Sequence, residues 1–180
     1  MGDPNLTNLW RRAFVLVAFD LDAVVPANIS TAFNSDWDDV GILVKGGPAG
    51  NTSFGQDTDF YGRNGEFLDS LIDDRTDTLD FACHEDNEIT QALRGVEAGV
   101  AYATGPVKVK LALETRNLDK KRRKISAGHA LIFPNGATTA AENEVESFGF
   151  QARLVPDSGT LNADGAPAVW IEQRTNDASS

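Results

Sequence analysis

Residues 67–96 read FLDSLIDDRTDTLDFACHEDNEITQALRGV, a long strand that runs straight into a short helix. From Thr76 the chain alternates. Asp77, Leu79, Phe81 and Cys83 fall on one face, and Thr76, Thr78, Asp80, Ala82 and His84 on the other. A period of two with one apolar and one polar face marks a half-buried strand. At Glu85-Asp86-Asn87-Glu88 the rule changes. Asp86 or a neighbour can cap the free N–H groups of a new helix, and Glu88 suits its positive end. Ile89, Leu93, Ala92 and Val96 give an apolar stripe at helical spacing, and Gly95 can close the helix as a left-handed cap. So short a helix is not stable alone in water and must lie on a sheet.

Composition bounds the rest. A chain of 180 residues predicts one domain with extended arms or loops. An apolar fraction of 41%, with ten Phe, three Trp and two Tyr, is enough to build a core. A net charge of −11 argues against a nucleic-acid-binding surface, because phosphate contacts need Lys and Arg, and suits a surface that repels DNA. The single cysteine, Cys83, excludes an internal disulfide and a Cys-rich metal site. Cys83 and His84 are neighbours on a strand and point to opposite faces, so a small buried thiol is the plain reading of Cys83.

The longest apolar run, 13–19, is far below the roughly 20 residues of a membrane span. Asp20 and Asp22 interrupt it, so the opening residues do not read as a secretory signal. The sequons at Asn5, Asn28 and Asn51 then have no role, and a cytoplasmic site of synthesis is expected.

From the start, residues 1–8 are polar and read as loose, and 11–21 read as a strand. Ala13, Val15, Val17 and Phe19 form one face, and Phe14, Leu16 and Ala18 the other. Apolar character on both faces predicts core on one side and a second cover, such as another subunit, on the other. Residues 24–34 read as an extended connector. In Asp36-Trp37-Asp38-Asp39-Val40-Gly41-Ile42-Leu43, an aromatic anchor and a glycine between two apolar residues predict a short edge strand, with backbone packed closely against a neighbour.

Residues 45–65 hold six glycines and read as a long turn-rich loop or loose hairpin. No Gly-Lys-Ser/Thr ending follows, which excludes a phosphate loop. Asp57-Thr58-Asp59-Phe60-Tyr61-Gly62 resembles the start of a calcium loop, but Tyr61 and Leu68 occupy positions that need ligands, so calcium is rejected. A loop this long in a compact domain implies a task.

Three strands are expected beyond the helix. In 106–116, Val107, Val109, Leu111 and Leu113 point inward, and Lys108, Lys110, Glu114 and Arg116 outward. Asn117-Leu118-Asp119 is the turn, and 120–133 returns with Ile125, Ala127, His129, Leu131 and Phe133 on one face. The basic run Lys120-Lys121-Arg122-Arg123-Lys124 reads as a solvated hairpin end, a contact for phosphate or an acidic partner, or a partner for carboxylates of a neighbouring copy. His129 reads as a satisfied core histidine. After a loop at 134–142, residues 144–155 set Glu146, Phe148, Phe150, Ala152 and Leu154 against Ser147, Gly149, Gln151 and Arg153. A polar turn (157–166), a short strand (168–172) and a flexible tail (173–180) end the chain. The expected fold is mainly β, an antiparallel β-sandwich or open barrel with one flanking α-helix. No catalytic or metal-binding pattern is visible, so no enzyme, cofactor or metal is expected.

The order of Trp37-Asp38-Asp39-Val40-Gly41-Ile42-Leu43, a Gly-rich loop, the strand 75–85, the helix 86–95 and hairpins ending in Phe148-Gly149-Phe150-Gln151-Ala152-Arg153-Leu154-Val155-Pro156-Asp157 resembles the major tail tube proteins of long-tailed bacteriophages. The resemblance covers residues 36–157 and rests on the order of parts rather than on any one motif. Residues 11–25 are more apolar than that family's N-terminal arm, and no C-terminal decoration domain is expected.

The resemblance implies a virion tail subunit that forms hexameric rings stacked into a hollow tube. DNA leaves through an acidic lumen without specific binding. The implied partners are further copies of the chain, a tape measure protein and tail terminator or initiator proteins, with no membrane. Thr76, Thr78 and Asp80 are implied to face the lumen. Gly46, Gly47, Asn51, Phe54, Asp57, Phe60 and Tyr61 would form a ring-stacking loop, and Phe14, Leu16 and Trp37 would pack against a neighbouring subunit. The inner tube of a contractile tail or secretion machine shares the implied fold. A small-molecule-binding barrel and an acid-pair hydrolase are the rival readings from other classes.

Overall fold

The structure, a computed structural model, describes residues 11–53, 57–61, 67–72, 75–103, 105–117, 120–135 and 145–175. In chain order the elements are β1 (Arg12–Ala18), β2 (Asp38–Asp39), β3 (Ala49–Ser53), β4 (Asp57–Tyr61), β5 (Phe67–Ile72), β6 (Thr76–Cys83), α1 (Glu88–Leu93), β7 (Val96–Glu97), β8 (Val100–Ala101) and β9 (Val107–Asn117). They continue with β10 (Lys120–Ser126), β11 (His129–Pro134), β12 (Phe148–Val155), β13 (Asp157–Leu161), β14 (Pro167–Ala168) and β15 (Trp170–Arg174). The fold is mainly antiparallel β with one short helix, as the alternation predicts.

The main sheet has nine strands in the order β15-β10-β9-β11-β12-β6-β3, with β1 also paired to β9 and β2 to β1. Because β9 is long, its C-terminal half pairs with β1 and β10, and its N-terminal half with β11. The sheet folds over on itself. Val15 and Val17 of β1 meet Leu79, Phe81 and Cys83 of β6 and Phe148, Phe150, Ala152 and Leu154 of β12 in one buried cluster. The Phe81 and Phe150 rings stack with centroids 5.3 Å apart. Burial along β6 alternates residue by residue from Thr76 to Cys83, with the odd positions inside, and β12 buries Phe148, Phe150, Ala152 and Leu154.

Asn87 caps α1. Its side chain accepts from the Thr90 N–H while Thr90 Oγ1 accepts from the Asn87 N–H, a reciprocal capping box. Asp86 instead pairs with Arg94 across the helix. Leu93 is buried and Ile89 packs on the core, but Ala92 is exposed and the buried Thr90 takes its place on the inward face. Gly95 follows the helix at φ +68, the left-handed position expected of it.

Residues 38–44 bridge the two halves of the folded sheet. Asp38 and Asp39 pair with Val17 and Leu16, the Val40 N–H donates to the Val15 carbonyl, and Leu43 bridges Cys83. Gly41 makes the step at φ +99, and a Cβ there would lie 2.5 Å from Glu85 Oε2. Glu85 Oε1 accepts from the Ile42 N–H at 3.0 Å. The close neighbour expected at this glycine is therefore the Glu85 side chain.

Several expectations need correction. The second face of β1 is covered by the chain itself: Ala18, Ala112 and Ile125 form a second cluster with Ala23 and Trp37, and Leu16, Val25 and Phe33 pack on it. Trp37 is only 6% exposed, and its indole N–H donates to the Val24 carbonyl at 3.1 Å. Residues 23–37 are thus a strap clamped over the sheet, and Trp37 and Leu16 are spent on it rather than presented to another subunit. Phe14 is half-buried under the Arg116 guanidinium.

Glu114, expected outside, is 1% exposed because the strap covers that face too. Between Ile125 and Ala130 the return strand has five steps against three between Val109 and Ala112 on β9. The two extra residues form a bulge at Ala127-Gly128 and keep the strand's parity, so Ile125 shares a face with His129, Leu131 and Phe133; the strap covers Ile125, whereas His129, Leu131 and Phe133 are half-exposed, and Ala130 and Ile132 on the other face enter the main core. Residues 45–65 are not a plain loop, since they contribute β3 and β4. The stretch 157–166 belongs largely to the β13–β14 hairpin, and the last strand is β15. Residues 173–175, expected in a flexible tail, are tied down. Gln173 Nε2 donates to the Pro26 carbonyl, and the Thr175 N–H to the Lys121 carbonyl.

One polar node holds the strap. Arg123 is 3% exposed and gives Nη2 to Glu114 Oε2 at 2.6 Å. Its Nη1 donates to the Asn28 and Thr31 carbonyls of the strap and to Gln173 Oε1, and its guanidinium lies 4.2 Å from the Phe33 ring centroid. Arg123→Met is expected to cost about 3 kcal/mol in urea unfolding, because it strands the Glu114 carboxylate beside Arg116 alone. It should also open residues 20–37 to proteolysis. Glu114→Leu combined with Arg123→Met should recover most of the loss.

Candidate functional site

Thr76, Thr78 and Asp80 lie on the wet face of β6, half-exposed, as the alternation predicts. Register places them in rows across the sheet: Asn51 beside Thr78, then Arg153, Leu131 and Lys108; and Ala49 beside Asp80, then Gln151 and Phe133. Asp80 Oδ1 accepts from Gln151 Nε2 at 2.8 Å and from Asn135 Nδ2 at 3.4 Å. His129 belongs to the same face, where burial and then the Lys108 and Lys110 ammonium groups push its pKa below the ordinary imidazole value. Strands β3, β6, β12, β11 and β9 thus give this face Lys108, Lys110 and Arg153 against Asp80 among their described side chains. The acidity expected of it is not there, and the charge of −11 resides elsewhere on the chain.

The free edge of this half of the sheet is β3. All five of its residues, Ala49-Gly50-Asn51-Thr52-Ser53, are exposed and none is charged. Thr52 Oγ1 donates to the buried Asp77 at 2.6 Å, which pins the edge strand to β6. Asp77 is also bound by Arg75. Burial works against the charged form, but the bonds from Arg75 and Thr52 prevail and hold the carboxyl below its usual range. Gly46 and Gly47 turn the chain into β3 with φ of +116 and +68. The seven residues expected in one stacking loop are therefore distributed. Gly46 and Gly47 sit in a turn and Asn51 in the edge strand, whereas Asp57, Phe60 and Tyr61 sit in a separate hairpin, β4–β5, which is a two-stranded sheet of its own. Phe54 lies outside the described residues.

Between the β3 edge and strands β9, β10 and β15 runs an open seam of about 370 Å³, lined in part by Thr52, Leu79, Thr115, Arg122, Lys124 and Trp170. Here the basic run 120–124 divides. Arg123 enters the strap node, while Arg122 and Lys124 flank Glu172 at 3.0 and 3.2 Å, with Arg174 at 2.8 Å. The run is neither wholly solvated nor wholly free for a partner. Burial alone would raise the pKa of Glu172, but bonds from Arg174, Arg122 and Lys124 bring it down to about 2. Sequence reasoning missed both carboxylate nodes. The pairing of Arg123 with Glu114 was nevertheless implicit in the hairpin register, which sets the two opposite each other.

Cys83 is fully buried, and burial raises its pKa to about 11, so its thiol is no nucleophile at neutral pH. His84 points the other way, with Nδ1 3.0 Å from the Glu146 carbonyl. Among the described residues no group of His, Cys, Asp and Glu is placed to hold a metal ion, and no helix is long and apolar enough to cross a membrane.

No protein family and no curated protein matches the chain. Among solved structures it is similar to a chain from the cryo-EM structure of an extracellular contractile injection system, a sheath-tube complex in the extended state. The TM-score is 0.46 at 8% identity, over 91% of this chain and 89% of that one.

The carboxylate nodes set the acid limb of stability. Glu114 is held low in the same sense as Glu172: burial opposes its charge, and Arg123 and Arg116 overcome it. A carboxylate whose pKa is depressed by folding stabilises fully above its unfolded value, and that contribution fades as pH falls through the folded value. For Glu172 the window runs from 4.5 down to about 2. Chemical denaturation across that window should show stability falling steadily in the parent chain. Glu172→Gln should be less stable near neutrality and show a flatter slope below pH 4.5.

Proposed function

We propose that this chain is the repeating structural subunit of a hollow tube of stacked rings, of the phage-tail kind, through which DNA passes. The carrying observation is the uncharged, fully exposed edge strand β3 on a nine-stranded sheet that folds over without closing. An exposed row of N–H and C=O groups is a template for another strand, and soluble monomers blunt such edges with Lys, Pro or a covering segment. Strand β3 itself carries no Lys or Pro, and no strand of the described residues pairs with its outer edge. Joining a second copy satisfies the edge, and repeating the operation around an axis closes a ring.

Three further features support the reading. The order of segments from Trp37 to Asp157 resembles tail tube proteins. The core between the folded halves of the sheet holds Leu79, Phe81, Ile132 and Phe150, each at most 4% exposed, and the space beside it is an open seam rather than an enclosed cavity, which disfavours a barrel that holds a small ligand inside. The buried, high-pKa Cys83 disfavours thiol chemistry.

In this reading Thr76, Thr78, Asp80 and Gln151 border the passage, on a face whose described charges are Asp80 against Lys108, Lys110 and Arg153. Partners are further copies and the proteins that start, measure and end the tube. Flexible and contractile tails both use such a subunit, and the reading covers either.

The test is negative-stain electron microscopy with light scattering across a concentration series. The parent chain should give rings or tubes with a central hole. Asn51→Lys with Ser53→Lys should keep the parent's unfolding free energy to within about 0.5 kcal/mol and remain monomeric, because charges on the edge oppose strand addition. A parent chain that stays monomeric at every concentration, with or without a tail-tip initiator, would overturn the proposal.

A further inference from the structure

The open seam between β3 and strands β9, β10 and β15 has more donors than acceptors. Three cations converge on Glu172 at its rim. Arg122 Nη2 lies 3.0 Å from Oε1 and 3.1 Å from Oε2, Lys124 Nζ 3.2 Å from Oε1, and Arg174 Nη2 2.8 Å from Oε2. The other carboxylate whose charge Lys124 favours is Asp77, and both of its oxygens are already bound by Arg75 and Thr52. Four cations thus share two carboxylates.

A guanidinium carries five N–H groups and an ammonium three, so the two carboxylates leave donors over. The Nε of Arg122 is buried and finds no acceptor among the described residues. A buried donor is costly until water or a ligand supplies an acceptor. The seam offers about 370 Å³ for one, with Arg122, Lys124 and Thr115 as polar lining and Leu79, Leu113 and Trp170 as apolar lining. Leu113 and Trp170 are only partly buried against the core, and Lys124 Nζ lies 5.9 Å from the Trp170 ring centroid. Cations and an indole face therefore meet in one open cleft.

We infer that this seam is a binding site for a small oxyanion with a flat apolar body, its phosphate or carboxylate head held by Arg122 and Lys124 and its body against Leu79, Leu113 and Trp170. Charge-assisted bonds from a guanidinium and an ammonium favour an anionic head over a neutral acceptor. The indole favours an aromatic body, which can stack on it or meet it edge to face. Glu172 is the internal competitor, because it engages the same two cations. One copy suffices for this site, which does not depend on the tube reading.

The test is isothermal titration calorimetry of the full chain, below the concentration at which light scattering detects particles. The probes are inorganic phosphate, phenyl phosphate and benzoate, each against sodium chloride at matched ionic strength. Phenyl phosphate or benzoate should bind one to one, about tenfold more tightly than inorganic phosphate, and the tighter of the two identifies the head. Arg122→Gln with Lys124→Gln should weaken that binding at least about tenfold, whereas Glu172→Gln should tighten it by removing the competitor. Circular dichroism checks the fold of each variant, and if the double variant does not fold, Glu172→Gln decides alone. Absence of saturable binding by all three probes overturns the inference and assigns the Arg122 Nε to water. Binding that survives the double variant, or that Glu172→Gln leaves unchanged or weakens, places the ligand elsewhere and overturns it too. Inorganic phosphate binding as tightly as both aromatic probes overturns the role given to Trp170 and the apolar floor.

Discussion

The Arg123–Glu114 pair is the constraint on which much of this fold depends. A carboxylate and a guanidinium that are almost fully buried lose several kcal/mol of hydration each, and only close geometry and saturated hydrogen bonding return it. Here the pair is saturated from three directions. Arg116 takes the second Glu114 oxygen, the strap offers the Asn28 and Thr31 carbonyls, and β15 offers Gln173. Those partners come from three separate stretches of chain, β9, the strap and β15. The node therefore does more than hold the β9–β10 hairpin: it dictates where the strap crosses and how β15 lies. Hydrophobic contacts around Trp37 and Ile125 supply area, but area is non-directional. The guanidinium supplies direction, and Phe33 under its face and Gln173 bonded to Pro26 complete the clamp.

That node also explains where the sequence was legible and where it was not. Strands whose two faces differ, β6 and β12, were readable residue by residue, because one face meets the core and the other meets water. The β1 stretch announced by its two apolar faces that it is covered twice. It could not announce that the second cover is its own continuation, residues 23–37, because such a strap has no period. Glu114 misled for the complementary reason. Among alternating Lys and Arg it reads as surface, and only the cover laid over it by a distant segment makes it interior. The bulge at Ala127-Gly128 adds two residues and so keeps the strand's parity; what a period-two pattern cannot show is that the strap covers the odd face at Ile125 and leaves it half-exposed at His129, Leu131 and Phe133, while Ala130 and Ile132 on the other face meet the main core. Gly128 is the trace it leaves: a Cβ there would overlap the Val155 carbonyl. Of the candidate site, the wet face of β6 was legible. The separation of edge strand from hairpin within residues 45–65 was not, because glycine and small polar residues are as compatible with an exposed edge as with a loop.

The folded sheet is also asymmetric in how it treats its edges. On one side residues 38–44 carry the chain from β1 to β6 and tie the two halves together, using a glycine that tolerates φ +99 and a carboxylate that caps the Ile42 N–H. On the other side no described residue spans β3 and β15 in this way, and a seam of about 370 Å³ lies open between them. A monomer selected only to be soluble has every reason to close both sides, because closure removes edges and buries the exposed flank of the core.

Charge sharpens that asymmetry. At −11, two copies approaching at random repel each other over about a Debye length, roughly 8 Å at physiological ionic strength. Encounter is then favoured only where the local sign reverses, and the described structure gathers many of its cations on β9, β10, β12 and β15, next to the open seam and the wet face. A uniformly acidic surface would keep the copies apart and a neutral one would let them aggregate without register. A contact confined to one cationic patch is directional, and a directional contact between two different surfaces either closes into a ring or continues as a stack.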